Sequence, residues 1–230
     1  MRNDIVKTLF ELCNKTKINP KDIEKYVHDN SVTPEELTLA AIRLVDKNMF
    51  EIKEAELFNS HTPSADELVS TNFITLFEIF IRHGLLPNYI HTDDGINYHN
   101  IMDNIRYIDN GNVAFALMKM LMECGGDPNL EINGESLFSE VDFDLLFCIR
   151  EFTDESVSKK ALDKAFRIWL ILTGYGGYIN KQQAPVNMRK GYTPEIFRAY
   201  EDFNYRIEYN DKDFKMYIYN INTNDEIADL

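Results

Sequence analysis

The chain is poor in cysteine, proline, glycine and positive charge. Its three cysteines, Cys13, Cys124 and Cys148, are an odd number with no CxxC or Cys/His spacing. That pattern excludes a disulfide framework and a zinc-finger motif. Each cysteine lies in an apolar helical pattern, so all three are expected as buried free thiols in a reducing compartment. Seven prolines and ten glycines in 230 residues leave no room for a long flexible linker. Apolar stretches are broken by charge well before the roughly 20 residues that span a membrane. Met1-Arg2-Asn3-Asp4 runs into an amphipathic pattern instead of an apolar leader. No signal peptide is therefore expected, and the predicted location is the cytoplasm. Lys and Arg number 24 against 38 Asp and Glu, for a net charge of −14. Nucleic acid and anionic membrane are excluded as principal partners, because both need a basic surface. The negative field serves solubility, and it would also steer a basic partner inward.

What the chain does have is a core-forming 44% of hydrophobic residues and a phrase written twice. His83-Gly84-Leu85-Leu86-Pro87-Asn88 and Cys124-Gly125-Gly126-Asp127-Pro128-Asn129 share the frame x-Gly-x-x-Pro-Asn. Each follows an apolar helical run, 77–82 or 118–122, and each precedes an Asx-rich loop, Asp93-Asp94-Gly95 or Asn133-Gly134. The prolines Pro87 and Pro128 lie 41 positions apart, and the loop glycines Gly95 and Gly134 lie 39 apart. Such spacing is the signature of stacked structural repeats. Gly174-Tyr175-Gly176-Gly177 is a weaker third copy.

Apolar spacing predicts helices over 3–14, from Pro20, from Pro34, from Ser64, and over 72–83, 97–108, 113–124, 136–150 and 158–173. A short last helix is predicted from Thr193 to Tyr200. Asn19-Pro20 and Thr33-Pro34 are helix starts, a cap residue followed by proline in the first turn. Glu36 completes a capping box with Thr33. Gly84, Gly125 and Gly174 are helix stops, with a left-handed glycine expected at Gly84. The tail changes character: Phe203, Tyr205, Ile207 and Tyr209 alternate with polar residues, 214–221 alternates again, and 226–230 supplies a third strand. Asx turns separate these runs, which predicts a small antiparallel β-meander. The expected fold is mostly α. Residues 1–202 form a stack of helix pairs, an α-solenoid with capping helices over 1–30, and 203–230 form a meander packed on its end.

At 95–135 the residues resemble the ankyrin repeat family. Asp109-Asn110-Gly111-Asn112-Val113, the apolar helix and Gly125-Gly126-Asp127-Pro128-Asn129 are similar to that family's turn, outer helix and following loop. Gly191-Tyr192-Thr193-Pro194 is similar to the Gly-x-Thr-Pro that opens its inner helix, and Leu39-Ala40-Ala41 to its small-residue stretch. The period here is longer and less even than the family's 33 residues or so. The resemblance implies a divergent ankyrin-like stack over roughly 20–200. Inner helices would lie near 34–47, 97–108, 136–150 and 193–200, and outer helices near 72–83, 113–124 and 158–173. Loops 85–96, 126–135 and 175–192 would be projecting fingers.

A stack of this kind binds other macromolecules, so the expected function is a non-enzymatic protein–protein interaction module without a cofactor. Its contact residues would be Tyr89, His91, Asp93, Asp94, Glu131, Asn133, Tyr175, Tyr178, Gln182 and Gln183 on the loops. Asn97, Asn100, Asn104, Asp142 and Asp144 would join them if they face outward from the inner helices. The partner would be a protein, and the charge suits a basic one. A narrower alternative is an acidic neutraliser of a basic toxin or nuclease, as small bacterial immunity proteins are. An alternative of another class is a metal site or enzyme using His83, His91 and His99, although their spacing fits no metal motif. A third is self-assembly through the edge of the terminal sheet; otherwise the chain is expected as a monomer or weak homodimer. The acid pairs Glu35-Glu36 and Asp154-Glu155 suit helix starts better than acid–base catalysis. Trp169 lies on an apolar stripe and reads as core.

Overall fold

In this computed structural model the described residues are 1–14, 18–57, 64–93, 97–132, 134–153, 158–177, 198–200, 205–210, 215–220 and 226–229. Two helices open the chain, α1 (Asn3–Cys13) and α2 (Pro20–Asp29), followed by α3 (Pro34–Leu57) and α4 (Ser64–Arg82). A hairpin of β1 (Ile90–Asp93) and β2 (Asn97–Asn100) leads into α5 (Ile101–Ile105) and α6 (Gly111–Glu123). A shorter hairpin, β3 (Glu131–Ile132) and β4 (Glu135–Ser136), leads into α7 (Leu137–Thr153) and α8 (Lys159–Gly174). The tail holds β5 (Arg198–Tyr200), β6 (Tyr205–Asn210), β7 (Lys215–Asn220) and β8 (Glu226–Asp229), paired antiparallel in that order. The chain is thus mostly helical with small antiparallel sheets.

Helix contacts follow a simple rule. Each odd-numbered helix packs on the even-numbered helix that follows it. In addition α1 packs on α3 and α3 on α5, while α2 packs on α4, α4 on α6 and α6 on α8. The contacts therefore run in an even row, α2–α4–α6–α8, and in a shorter odd row, α1–α3–α5, with α7 held mainly by α8. One buried cluster extends through both, from Val6 in α1 to Leu172 in α8. Ala40 and Ala41 in α3 are completely buried, and their small side chains let neighbouring helices approach closely.

All four even-numbered helices end in the same turn. Ser31, Gly84, Gly125 and Gly176 take positive φ, 48° at the serine and 92° at each glycine. In each turn the next residue's N–H reaches back to a carbonyl five residues earlier: Val32 to Val27 at 3.1 Å, Leu85 to Phe80 at 2.9 Å, Gly126 to Leu121 at 2.9 Å and Gly177 to Leu172 at 2.8 Å. This is the Schellman arrangement, which satisfies carbonyls that a helix end leaves without partners. Ser31-Val32-Thr33-Pro34 is thereby a further copy of the repeated phrase, with serine where the others have glycine. At the last copy the left-handed residue is Gly176; Gly174, expected as the stop, is still helical.

Side chains from upstream hold these turns. Asn88 Nδ2 donates to the Gly125 carbonyl at 3.0 Å, and its Oδ1 accepts the Asp127 N–H at 2.7 Å. Asn129 Nδ2 donates to the Gly176 carbonyl at 3.0 Å. At the first turn Arg2 takes this part, with Nη2 donating to the Ser31 carbonyl at 2.9 Å. At the second, Thr38 Oγ1 accepts the Leu86 N–H at 2.9 Å. Arg2 also forks the buried carboxylate of Glu36, Nε to Oε1 at 2.9 Å and Nη2 to Oε2 at 2.6 Å. Glu36 closes the predicted capping box, its Oε2 accepting the Thr33 N–H while its own N–H donates to Thr33 Oγ1.

Several sequence expectations change. The helix predicted over 97–108 is shorter, because 97–100 pairs back onto Ile90–Asp93 and Asn100 caps α5 at Ile101. The helix predicted over 72–83 is the second half of α4, which begins at Ser64. The meander gains a fourth strand: Arg198–Tyr200, expected at the end of a helix, pairs with Tyr205–Ile207. Residues 193–197 lie outside the described residues. Cys13 is buried as expected, but Cys124 is exposed and Cys148 half-buried, all three as free thiols.

Candidate functional site

Helix α7 has two unlike faces. Leu137, Phe138, Val141, Asp142 and Leu145 are buried, the inward stripe of an amphipathic helix. Phe138 packs on Trp169 of α8 with ring centroids 6.2 Å apart, and the Trp169 indole N–H donates to Asp142 Oδ1 at 2.9 Å. The other face carries Glu140, Phe143, Asp144 and Phe147 at steps of three and four residues, so they are neighbours on the surface. Phe143 is 64% exposed and Phe147 44%. Tyr107, just beyond α5, is 44% exposed.

Arg106, the C-cap residue of α5, ties this surface together. Its side chain is only 6% exposed. Its Nε donates to Asp103 Oδ1 at 2.7 Å, Nη1 to Asp144 Oδ2 at 2.7 Å and Nη2 to Glu140 Oε2 at 3.1 Å. Nη2 also meets the Tyr107 hydroxyl, and the guanidinium carbon lies 4.5 Å from the centroid of that ring. Burial opposes the charge of Arg106, but Asp103 and Asp144 outweigh it and raise its pKa above the ordinary value. Burial pushes the Asp144 carboxyl up; the guanidinium pulls it back without cancelling the rise. The Glu140 and Asp144 side chains remain 41% and 40% exposed, within reach of another molecule.

A cleft of about 210 Å³ opens beside this cluster, between residues 106–109, α7 and α8. Val141, Phe147, Ala165 and Ile168 form apolar wall, and Asp109, Asp144 and Lys164 bring charge to it. Lys164 Nζ donates to the Ile108 carbonyl at 3.1 Å. Cys148 also lines the cleft, and burial raises its thiol pKa, which keeps it protonated and a weak nucleophile at neutral pH. The arrangement can seat an apolar side chain and offer carboxylates to a cation.

The predicted contact residues fall into three groups. Asn100, Asn104 and Asp142 face inward, a correction to their reading as outward contacts. Asn100 is fully buried and donates to the Pro87 and Tyr89 carbonyls at 2.9 and 3.0 Å, closing the base of the first hairpin. Asn104, 8% exposed, donates to Asp46 of α3, and Asp142 is occupied by the indole of Trp169. Each satisfies a polar group that burial would otherwise leave without a partner. A second group lies on the hairpins or at a helix end. Tyr89 is half-buried, His91 faces His99 across the strands with rings 6.5 Å apart, and Glu131 is exposed on β3. Asp93 and Asn97 pair by backbone register, with side chains outside the described residues. Tyr175, 42% exposed, follows α8 as its C-cap. Asp94, Asn133, Tyr178, Gln182 and Gln183 form the third group, outside the described residues.

Of the predicted residues only Asp144 belongs to the α7 surface. Tyr107, Glu140, Phe143 and Phe147 were not anticipated. Their signal was available in the sequence: Phe143 and Phe147 are apolar residues off the stripe that Phe138, Val141 and Leu145 define. Among the described residues, no group of three or more His, Cys, Asp or Glu side chains could hold a metal ion. No helix among them is long and apolar enough to cross a membrane. No family model, curated protein or solved structure matches the chain.

Proposed function

We propose that this chain is a non-enzymatic protein-interaction module, a divergent ankyrin-like stack of helix pairs that binds a protein partner through its odd-helix face. The observation that carries the reading is the pair of exposed phenylalanines on α7, Phe143 and Phe147, beside exposed Tyr107. Clustered aromatic side chains in water are unfavourable in an isolated monomer and are favoured as binding anchors. The two rows of helix contacts and the hairpins before α5 and α7 support the scaffold. The left-handed residues fall 53, 41 and 51 positions apart (Ser31, Gly84, Gly125, Gly176), so the stack is irregular beside a period of about 33. In this reading the protein acts in the cytoplasm as a monomer or weak homodimer.

The test is a photo-crosslinking amino acid placed at position 143, and separately at position 119 on the even row, in the cells that make the protein. A discrete crosslinked species from 143 that is absent from 119 is the expected result. Absence of any crosslinked protein from 143 would count against the reading.

A further inference from the structure

We propose that the α7 surface and its cleft take a basic segment of another protein, one that carries Arg or Lys next to a large apolar residue. The inference rests on the interaction-module reading and supplies the chemistry of the partner. Two features of the site point to a two-part ligand. The cleft of about 210 Å³ is walled by apolar side chains and bordered by the Phe147 ring. An apolar cavity of about 150 Å³ is enough for benzene, so a phenyl or leucyl side chain fits here. Next to it, Asp103, Asp109, Glu140 and Asp144 outnumber the cations Arg106 and Lys164 by four to two. The surplus negative charge sits partly exposed on Glu140 and Asp144. A cation one turn from the apolar anchor would complete the charge balance that Arg106 only begins.

The charge also argues against a second copy of this chain as the occupant. Two chains of −14 each would meet acidic face to acidic face if α7 were the contact. A basic partner is instead drawn in by the same field and docks faster at low ionic strength. Phe143, one turn before Phe147 and further out in solvent, extends the apolar contact beyond the cleft.

The experiment is selection of random twelve-residue peptides displayed on phage against the purified full chain. Selected peptides are expected to carry Arg or Lys within four positions of Phe, Leu or Trp. A synthetic representative should bind the wild type, weaken with added salt, and lose at least tenfold in affinity to Phe147→Ala and to Glu140→Gln. Both substitutions are at partly exposed positions, and unchanged thermal melting would confirm that the variants fold. Selected peptides that are acidic, or that bind both variants as well as wild type, would overturn the site and leave the interaction-module reading standing on another surface. No selection of any peptide would overturn both.

Discussion

Asn88 and Gly125 are 37 positions apart, yet the asparagine side chain grips the glycine's turn from two sides. Its amide N–H donates to the Gly125 carbonyl and its oxygen accepts the Asp127 N–H. Asn129 repeats the first of these bonds at Gly176. The asparagine that closes the repeated phrase thus ties one helix pair to the next. The two Asn88 bonds are exposed and each is worth about 1 kcal/mol. Asn88→Ala is expected to cost about 1–2 kcal/mol on that basis. Urea denaturation would register it as a lower midpoint at unchanged slope. A wild-type midpoint would show that the grip contributes nothing.

The glycines of these turns should respond to substitution in different ways. A β-carbon at Gly125 meets nothing within 4 Å, so the cost of Gly125→Ala is the left-handed backbone alone, about 1–2 kcal/mol. Gly125→Asn should be milder, because asparagine tolerates that region. At Gly177 a β-carbon would come within 2.3 Å of the Phe138 ring and 3.0 Å of the Leu172 carbonyl. Gly177→Ala must displace the ring that packs on Trp169, and about 1–3 kcal/mol or more is expected. Trp169 fluorescence should change in this variant and stay unchanged in Gly125→Asn. The reverse pattern would mean that the α8 turn packs differently.

Stability should fall in acid through Glu36. The Arg2 side chain, forked onto this carboxylate, holds its pKa at about 2 against an ordinary 4.5. The folded value is the lower one, so the stabilisation is fully present above 4.5 and is lost as pH falls toward 2. Glu36→Gln should be less stable than wild type at neutral pH by about 1.5–3 kcal/mol, the range for hydrogen bonds to a charged group. The gap should close as pH drops to 2. A gap that is constant with pH would mean that the carboxylate's charge is not what Arg2 recognises.

The thiols should separate by accessibility. Cys124 is exposed, Cys148 half-buried and Cys13 buried. Burial pushes the Cys13 thiol up to about 12 and also raises the other two. A thiol reagent at neutral pH should modify Cys124 first and Cys148 slowly, and reach Cys13 only after unfolding. Mass spectrometry of peptides along the time course reads the order. Rapid labelling of Cys13 in the folded protein would contradict the packing of α1 on α3.

The most legible parts of the fold were those written in local chemistry. Asn19-Pro20, Thr33-Pro34-Glu35-Glu36 and the glycine phrases fix helix starts and stops within a few residues, and those boundaries stand. What escaped notice was set at a distance. Ser31 gave no sign of its left-handed turn, because serine does not advertise that conformation and Arg2, 29 positions away, helps hold it. Asn97–Asn100 and Arg198–Tyr200 look helical until their antiparallel partners are present. Asn100 and Asn104 read as exposed polar residues until their buried acceptors at Pro87, Tyr89 and Asp46 are known. Phe143 and Phe147 sit in a densely apolar segment, and their one clue is a place off the stripe of Phe138, Val141 and Leu145 that α7 buries.

Four side chains that hold these turns lie upstream of them, which gives the helix pairs a polarity. Arg2 precedes the turn at Ser31, Thr38 the turn at Gly84, Asn88 the turn at Gly125 and Asn129 the turn at Gly176. A ribosome delivers the chain from its N-terminus. Each of these turns therefore emerges to find this clasp already made, although Asn100 fastens the Pro87 and Tyr89 carbonyls only afterwards. Unravelling carries the same asymmetry: peeling from the C-terminal side leaves the remaining turns fastened, whereas opening from the N-terminal side releases the next one in line.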